Sequence, residues 1–347
     1  MHAIFTWLNG WWVWLIEWAI EALGWPADLA TIIIIFGQMI FDAICIAGFI
    51  ALLVLFLIWL ERKISAHTQD RLGPMRTGGH GAIQTVADAF KLLQKEDIRP
   101  DGADKPVFNF APFLAFMPSI AAFVVIPFGN GVIIKDLNIG ILFLFGITSL
   151  AVVAIIMGGW ASNSKYSLLG AFRSAAQLIS YEIPLVLSAI GVIMLAGTMR
   201  MGGIVEAQKE VWFVVYQPVA FIIYIIAACA ETNRTPFDIS EAEQEIIAGF
   251  NLEYSGMKFA MFFLAEFANM FLVAAIATTL FLGGWQGPIL PGEVWFIIKA
   301  LGLTALIQFF RWTYPRVRVD QLMSFSWKIL LPAAFLNLII TGLILVL

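Results

Sequence analysis

The chain has 347 residues, 61% of them hydrophobic and 13% charged, which lies outside the range of soluble domains. At a net charge of −4, nucleic acid is not an expected partner. Cys45 and Cys229 stand alone, with no CxxC, His/Cys cluster or Gly-rich nucleotide fingerprint. The chain is therefore expected to hold no iron–sulfur cluster, flavin, nucleotide or metal of its own, and any electrons must come from a partner.

Residues 1–28 contain no Lys or Arg, so they lack the positive region of a signal peptide. Trp7, Trp11, Trp14, Trp18 and Trp25 fall on one helical stripe, as in an interfacial helix on the outer side. Apolar runs of the roughly 20 residues a bilayer requires follow at 38–60, 107–128, 138–160, 174–197, 212–231, 257–283, 293–314 and 326–346. None alternates like the strands of a membrane barrel. The expected fold class is an all-α integral membrane protein, a single polytopic domain over 1–347. It should hold about eight transmembrane helices plus interfacial amphipathic helices. The stretch 29–60 exceeds what a bilayer needs, which predicts a strongly tilted helix or a separate outer segment. Counting back from its inner end places Asp42 near the outer interface, solvated or capping.

Four loops then share one side: 61–106, 161–173, 232–256 and 315–325. Sixteen of the 20 Lys and Arg lie in or beside them, leaving Lys135, Arg200, Lys209 and Lys299 opposite. The positive-inside bias makes these loops cytoplasmic and both termini periplasmic. In the first loop, Gly78, Gly79 and Gly81 precede an expected helix over 82–95. Ile83, Val86, Phe90 and Leu93 form one stripe of it, and Gln84, Asp88, Lys91 and Lys95 another. Such a helix lies in the headgroup plane or packs on the bundle. His67 and His80 are isolated, and the spans over 107–160 read as scaffold.

The span 174–197 carries Gln177, Ser180, Tyr181 and Glu182. A charged carboxylate facing lipid costs about 3 kcal/mol, so Glu182 must face the bundle interior or hold a proton. Its plainer role is to knit helices together. Glu231 ends the next span and opens an acidic loop containing Asp238, Glu241, Glu243, Glu245 and Glu253, with Arg234 as its one base. Asp238 with Glu241, or Ser240 with Glu243, could form a capping box. Glu241 and Glu245 would then repel one turn apart, so the comb should titrate collectively and keep a proton near neutral pH. A solvated acidic loop is the alternative. Glu266 lies inside the following span, one turn from Asn269. Glu182, Glu231 and Glu266 thus offer a line of protonatable groups running inward from the acidic loop. The last inner loop is basic, with Arg311, Arg316 and Arg318, and could pair with the acidic loop or with anionic lipid.

Several of these stretches together resemble one family. They are Glu231-Thr232-Asn233-Arg234, Pro236-Phe237-Asp238, the Glu241/Glu243/Glu245 comb and Glu253-Tyr254. Glu61-Arg62-Lys63, Gln69, Arg71, Gly73-Pro74, and Asp88 with Lys91 through Glu96 extend the match. So do Tyr181-Glu182, Arg311, Pro315-Arg316, Arg318, Asp320-Gln321-Leu322-Met323 and Trp327-Lys328. The family is the quinone-site membrane subunit of respiratory complex I; membrane-bound hydrogenases carry a similar subunit. The resemblance implies a proton-translocating NADH:quinone oxidoreductase in a bacterial inner membrane, with ubiquinone or menaquinone as substrate and no activity in the isolated chain. It places Glu61, Arg62, Arg71, Asp88, Lys91, Arg234, Arg311 and Arg316 at the quinone tunnel. Proton coupling falls to Tyr181, Glu182, Glu231, Asp238, Glu241, Glu243, Glu245, Glu253 and Glu266. Implied partners are soluble-arm subunits bearing the terminal iron–sulfur cluster and head-group site, small membrane subunits and antiporter-like subunits. The sequence departs from the pattern at Phe267, where the family often has Tyr, and at Trp312, where it has a smaller residue. Rival readings are a ferredoxin- or hydrogen-linked homologue, a stand-alone cation transporter, and an inert anchor for a soluble oxidoreductase.

Overall fold

The computed structural model describes residues 10, 27–239, 247 and 249–347. The tryptophan stripe and the comb of Glu241, Glu243 and Glu245, with the capping boxes expected there, lie outside the described residues. The described chain is helical, with one isolated bridge between Gly129 and Val132. Its α-helices are α1 (Ala27–Thr68), α2 (Gln84–Gln94), α3 (Lys105–Phe123), α4 (Gly140–Thr148), α5 (Leu150–Ala161), α6 (Lys165–Ala196) and α7 (Met201–Ala207). They continue with α8 (Phe213–Tyr216), α9 (Pro218–Glu231), α10 (Gly256–Phe281), α11 (Gly292–Thr313), α12 (Val319–Phe325) and α13 (Leu331–Val346). Among the described residues, seven helical stretches, counting α4–α5 and α12–α13 as one each, are long and apolar enough to cross a membrane.

The run expected as a span over 212–231 is broken. Pro218 has no backbone N–H to continue α8, so α9 restarts there and is only 14 residues long. The break is held from outside: Gln217 accepts from Asn337 at 2.7 Å and donates to Thr341 at 2.6 Å. By contrast the long N-terminal stretch is one helix of 42 residues, not two segments. Asp42 lies well inside it and caps nothing; it is half-buried. The α6 helix stops at Gly197, whose φ of 66° is the left-handed conformation that glycine adopts without strain.

Small residues let the helices close. A side chain at Gly159 would meet Ala171 and the Ser167 carbonyl, and one at Gly170 would meet the backbone of Gly249. The most enclosed helix is α10, with 67% of its apolar window inside the bundle, against 22% for α1. It is the wall against which α1, α3, α9 and α11 pack. Helix α2 turns Ile83, Val86, Phe90 and Leu93 outward, Phe90 and Leu93 each 60% exposed. That stripe is uncovered in this chain, while the helix packs on α1 and α10. The other stripe is tied to α1 by an ion pair of Asp88 to Arg62 at 2.7 Å.

Candidate functional site

The site begins where α9 ends. After Glu231 the chain reverses through Thr232 and Asn233, and the Arg234 amide donates to the Cys229 carbonyl at 3.1 Å. The reversal drives the Arg234 side chain into the bundle, where it is 2% exposed. Its Nη1 lies 3.3 Å from Glu61 near the C-terminal end of α1, and its Nη2 lies 2.8 Å from Glu266 of α10. The ring of Phe267 sits under the guanidinium at 4.7 Å, a cation–π contact worth most in a desolvated site. Arg311 of α11 also pairs with Glu61, and it lies over the Trp312 ring at 5.7 Å. Two carboxylates and two guanidiniums from four segments thus balance inside the protein, as buried charge requires. Both departures from the family pattern, Phe267 and Trp312, carry faces for these cations.

Beside this cluster the loops after α9 and after α11 are joined. Arg316 pairs with buried Asp238 at 3.0 Å, and the Val317 amide donates to the Pro236 carbonyl at 3.0 Å. Phe237 packs on Tyr181 with ring centroids 5.3 Å apart. The Tyr181 hydroxyl donates to the Leu322 carbonyl at 3.0 Å, and is therefore committed to holding the last loop. Arg71 donates to Gln69 at 2.6 Å and Ser65 at 3.3 Å, bracing the start of the first loop. Lys91 is exposed on α2 and Glu253 half-buried before α10; neither joins the cluster. The neighbouring Tyr254 is stacked on Phe108 at 4.1 Å, and burial pushes its phenol up from the ordinary value.

Behind Arg234 lies a cavity of about 70 Å³, room for a few waters. Glu182 of α6, Glu231 of α9 and Glu266 of α10 all line it, with Asn233, Asn269 and Thr148. The three carboxylates lined up from the sequence therefore surround one space. Glu231 Oε2 is buried without a protein hydrogen-bond partner. Glu266 belongs to both assemblies, touching Arg234 and the cavity. That sharing was not legible beforehand, because Arg234 and Glu61 stand 173 residues apart. The two asparagines were also missed as site residues; the one signal for Asn233 was its place inside the Glu-Thr-Asn-Arg run.

Fold and site define a polytopic membrane protein with a balanced ion-pair cluster and an acidic cavity inside its bundle. Residues 41–342 match the family described as NADH dehydrogenase, and the chain belongs to it, the complex I subunit 1 family. A protein of Dehalococcoides mccartyi strain CBDB1, named as the H subunit of NADH-quinone oxidoreductase, is 55% identical over 85% of this chain and 83% of its own. A protein of Geobacter sulfurreducens that bears the same name, numbered 2, is 52% identical over 84% and 91%. The H subunit of the Geobacillus kaustophilus NADH-quinone oxidoreductase is 47% identical over 94% and 98%.

Proposed function

We propose that this chain is the quinone-site membrane subunit of a proton-translocating NADH:quinone oxidoreductase. It forms the access tunnel for ubiquinone or menaquinone and couples quinone reduction to proton movement. The observation that carries this reading is Arg234, which bridges Glu61, at the loop end of α1, and Glu266, on the cavity wall. A quinone that gains negative charge beside the loops competes with Glu61 for Arg311 and Arg234. Any shift of Arg234 toward the loops uncovers Glu266. An uncovered carboxylate in so dry a place binds a proton, and the cavity offers Glu231 and Glu182 as its next carriers. Charge displacement at one end is thereby exchanged for proton displacement at the other.

In this reading the inner loops dock the soluble arm that supplies electrons and completes the head-group site. Small membrane subunits and antiporter-like subunits receive the protons or charge. The membrane is the bacterial inner membrane; α8 and α9 together make the eighth crossing, so the joined loops are cytoplasmic, both termini periplasmic and the whole chain one membrane domain. Glu182→Gln tests it: the complex is expected to assemble, while NADH-driven quinone reduction coupled to a proton gradient falls by about 10²-fold. A substituted complex with native rate and native gradient leaves Glu182 as a helix tie and removes the proposal's proton path.

A further inference from the structure

At the acidic cavity the direction of the Asn233 amide is decided through an acceptor that cannot donate. A carboxamide presents an oxygen on one side and two N–H donors on the other, and its partners determine which faces where. Gln177 Nε2 lies 2.7 Å from the Ala230 carbonyl oxygen, which can only accept. The same Nε2 is 3.2 Å from the Asn233 side chain. A donor there requires an acceptor opposite, so Asn233 turns Oδ1 to Gln177 and its NH2 group the other way. Asn233 lines the cavity, and its φ of 50° is a left-handed conformation that Asn tolerates better than most residues. On the far wall the Ser119 hydroxyl donates to Asn269 Oδ1 at 2.8 Å. This frees the NH2 of Asn269 for the cavity and for a neighbouring void of about 10 Å³, both of which Asn269 lines.

The other hydroxyls around the cavity donate elsewhere. Thr148 donates to the Phe145 carbonyl, Ser149 to Gly146 and Thr232 to Ala228. The titratable groups facing the two asparagines are Glu182 from α6, Glu231 from α9, Glu266 from α10, the last paired with Arg234, and Tyr224 from α9, which lines the smaller void with Asn269 and donates to the Val273 carbonyl at 3.0 Å. The lining residues from α3, α4 and α5 are neutral. Among these groups the asparagine amides are the neutral donors.

We propose that Asn233, aimed by Gln177, and Asn269, aimed by Ser119, are positioning residues that donate hydrogen bonds to the cavity carboxylates or their waters and so hold negative charge there. This rests on the proton-handling reading above. A hydrogen bond to an ionised group favours the ionised form, so losing one makes the cavity release its proton only at higher pH.

The test is the pH dependence of NADH-driven proton pumping by the intact complex in proteoliposomes, with assembly followed by the yield of complex. Asn269→Leu and Asn233→Asp are expected to move the acid limb of the profile to the alkaline side, by about tenfold in proton concentration. Gln177→Leu, which unlocks Asn233 without touching the cavity, should move it the same way by less. Variants that assemble with the native profile, or that lose the same factor at every pH, overturn the inference. Should Asn233→Asp fail to assemble, Gln177→Leu and Asn269→Leu decide. Normal pumping by Glu182→Gln would instead sink the underlying reading. Loss in Glu182→Gln with native profiles in the amide variants would sink this inference alone.

Discussion

A lysine at position 234 could reach Glu61 or Glu266, but its single ammonium could not hold both across the gap that two guanidinium nitrogens span. Arg234→Lys is therefore expected to leave one buried carboxylate without its partner. Coupled turnover should fall by about tenfold or more, although charge is conserved. Phe267→Tyr offers a contrast, because it keeps the ring face under the guanidinium and adds only a hydroxyl. Coupled turnover measured in both variants decides the matter. A native rate in Arg234→Lys would mean that the bridge is not used. At this scale the sequence was informative about which residues are chemical and silent about which touch. Arg234 stood out as the one base among acids, yet its partners come from distant helices and could not be read from spacing.

Among the elements, α2 is held to the bundle through Arg62 and Asp88 while its apolar stripe faces outward. A partly exposed ion pair contributes about 0–1 kcal/mol, so reversing one partner should leave the complex assembled. It should nevertheless re-aim α2 at the edge of the membrane. Asp88→Lys is expected to slow reduction of a long-tailed quinone several-fold while sparing electron transfer to a soluble artificial acceptor. Adding Arg62→Glu should recover part of the loss. Equal loss with both acceptors would place the damage upstream of the tunnel. Charged residues misled, since α1 runs on through Glu61–Lys63 to Thr68 and α6 starts at Lys165, inside the loop expected over 161–173. Helix ends were legible at glycines such as Gly197 and Gly292. They failed at Gln217–Pro218, where the run stays apolar across the break and the bond to Asn337 and Thr341 comes from the far end of the chain.

For the molecule as a whole, the proposed function would make the acidic loop and the cavity two stores of protons. Glu241, Glu243 and Glu245 crowd into five residues, so neighbours can take over a missing member's proton. Single Glu→Gln changes in this comb should cost coupled turnover less than twofold, and double changes more than the product of the singles. Infrared difference spectra during quinone reduction should show carboxyl bands moving together. Immobile bands with native pumping in the double variants would leave the loop as a docking surface. The overall architecture was the most legible layer, because a bilayer demands long apolar helices and few other solutions exist. The meeting of Glu182, Glu231 and Glu266 at one cavity was half-legible: their burial followed from cost, their convergence from packing alone.

The Glu61 cluster also sets a timetable for biosynthesis. Glu61 leaves the ribosome 173 residues before Arg234 and 250 before Arg311. At bacterial elongation rates of about 5–20 residues per second, that is a delay on the order of 10 to 50 s. Until then a charged Glu61 favours the water boundary. The ion-pair cluster on α1 can be completed only once Arg234 and Arg311 have been made. A chain stopped before residue 234 would carry Glu61 without either of its counter-ions, an unfinished cluster that marks an incomplete subunit.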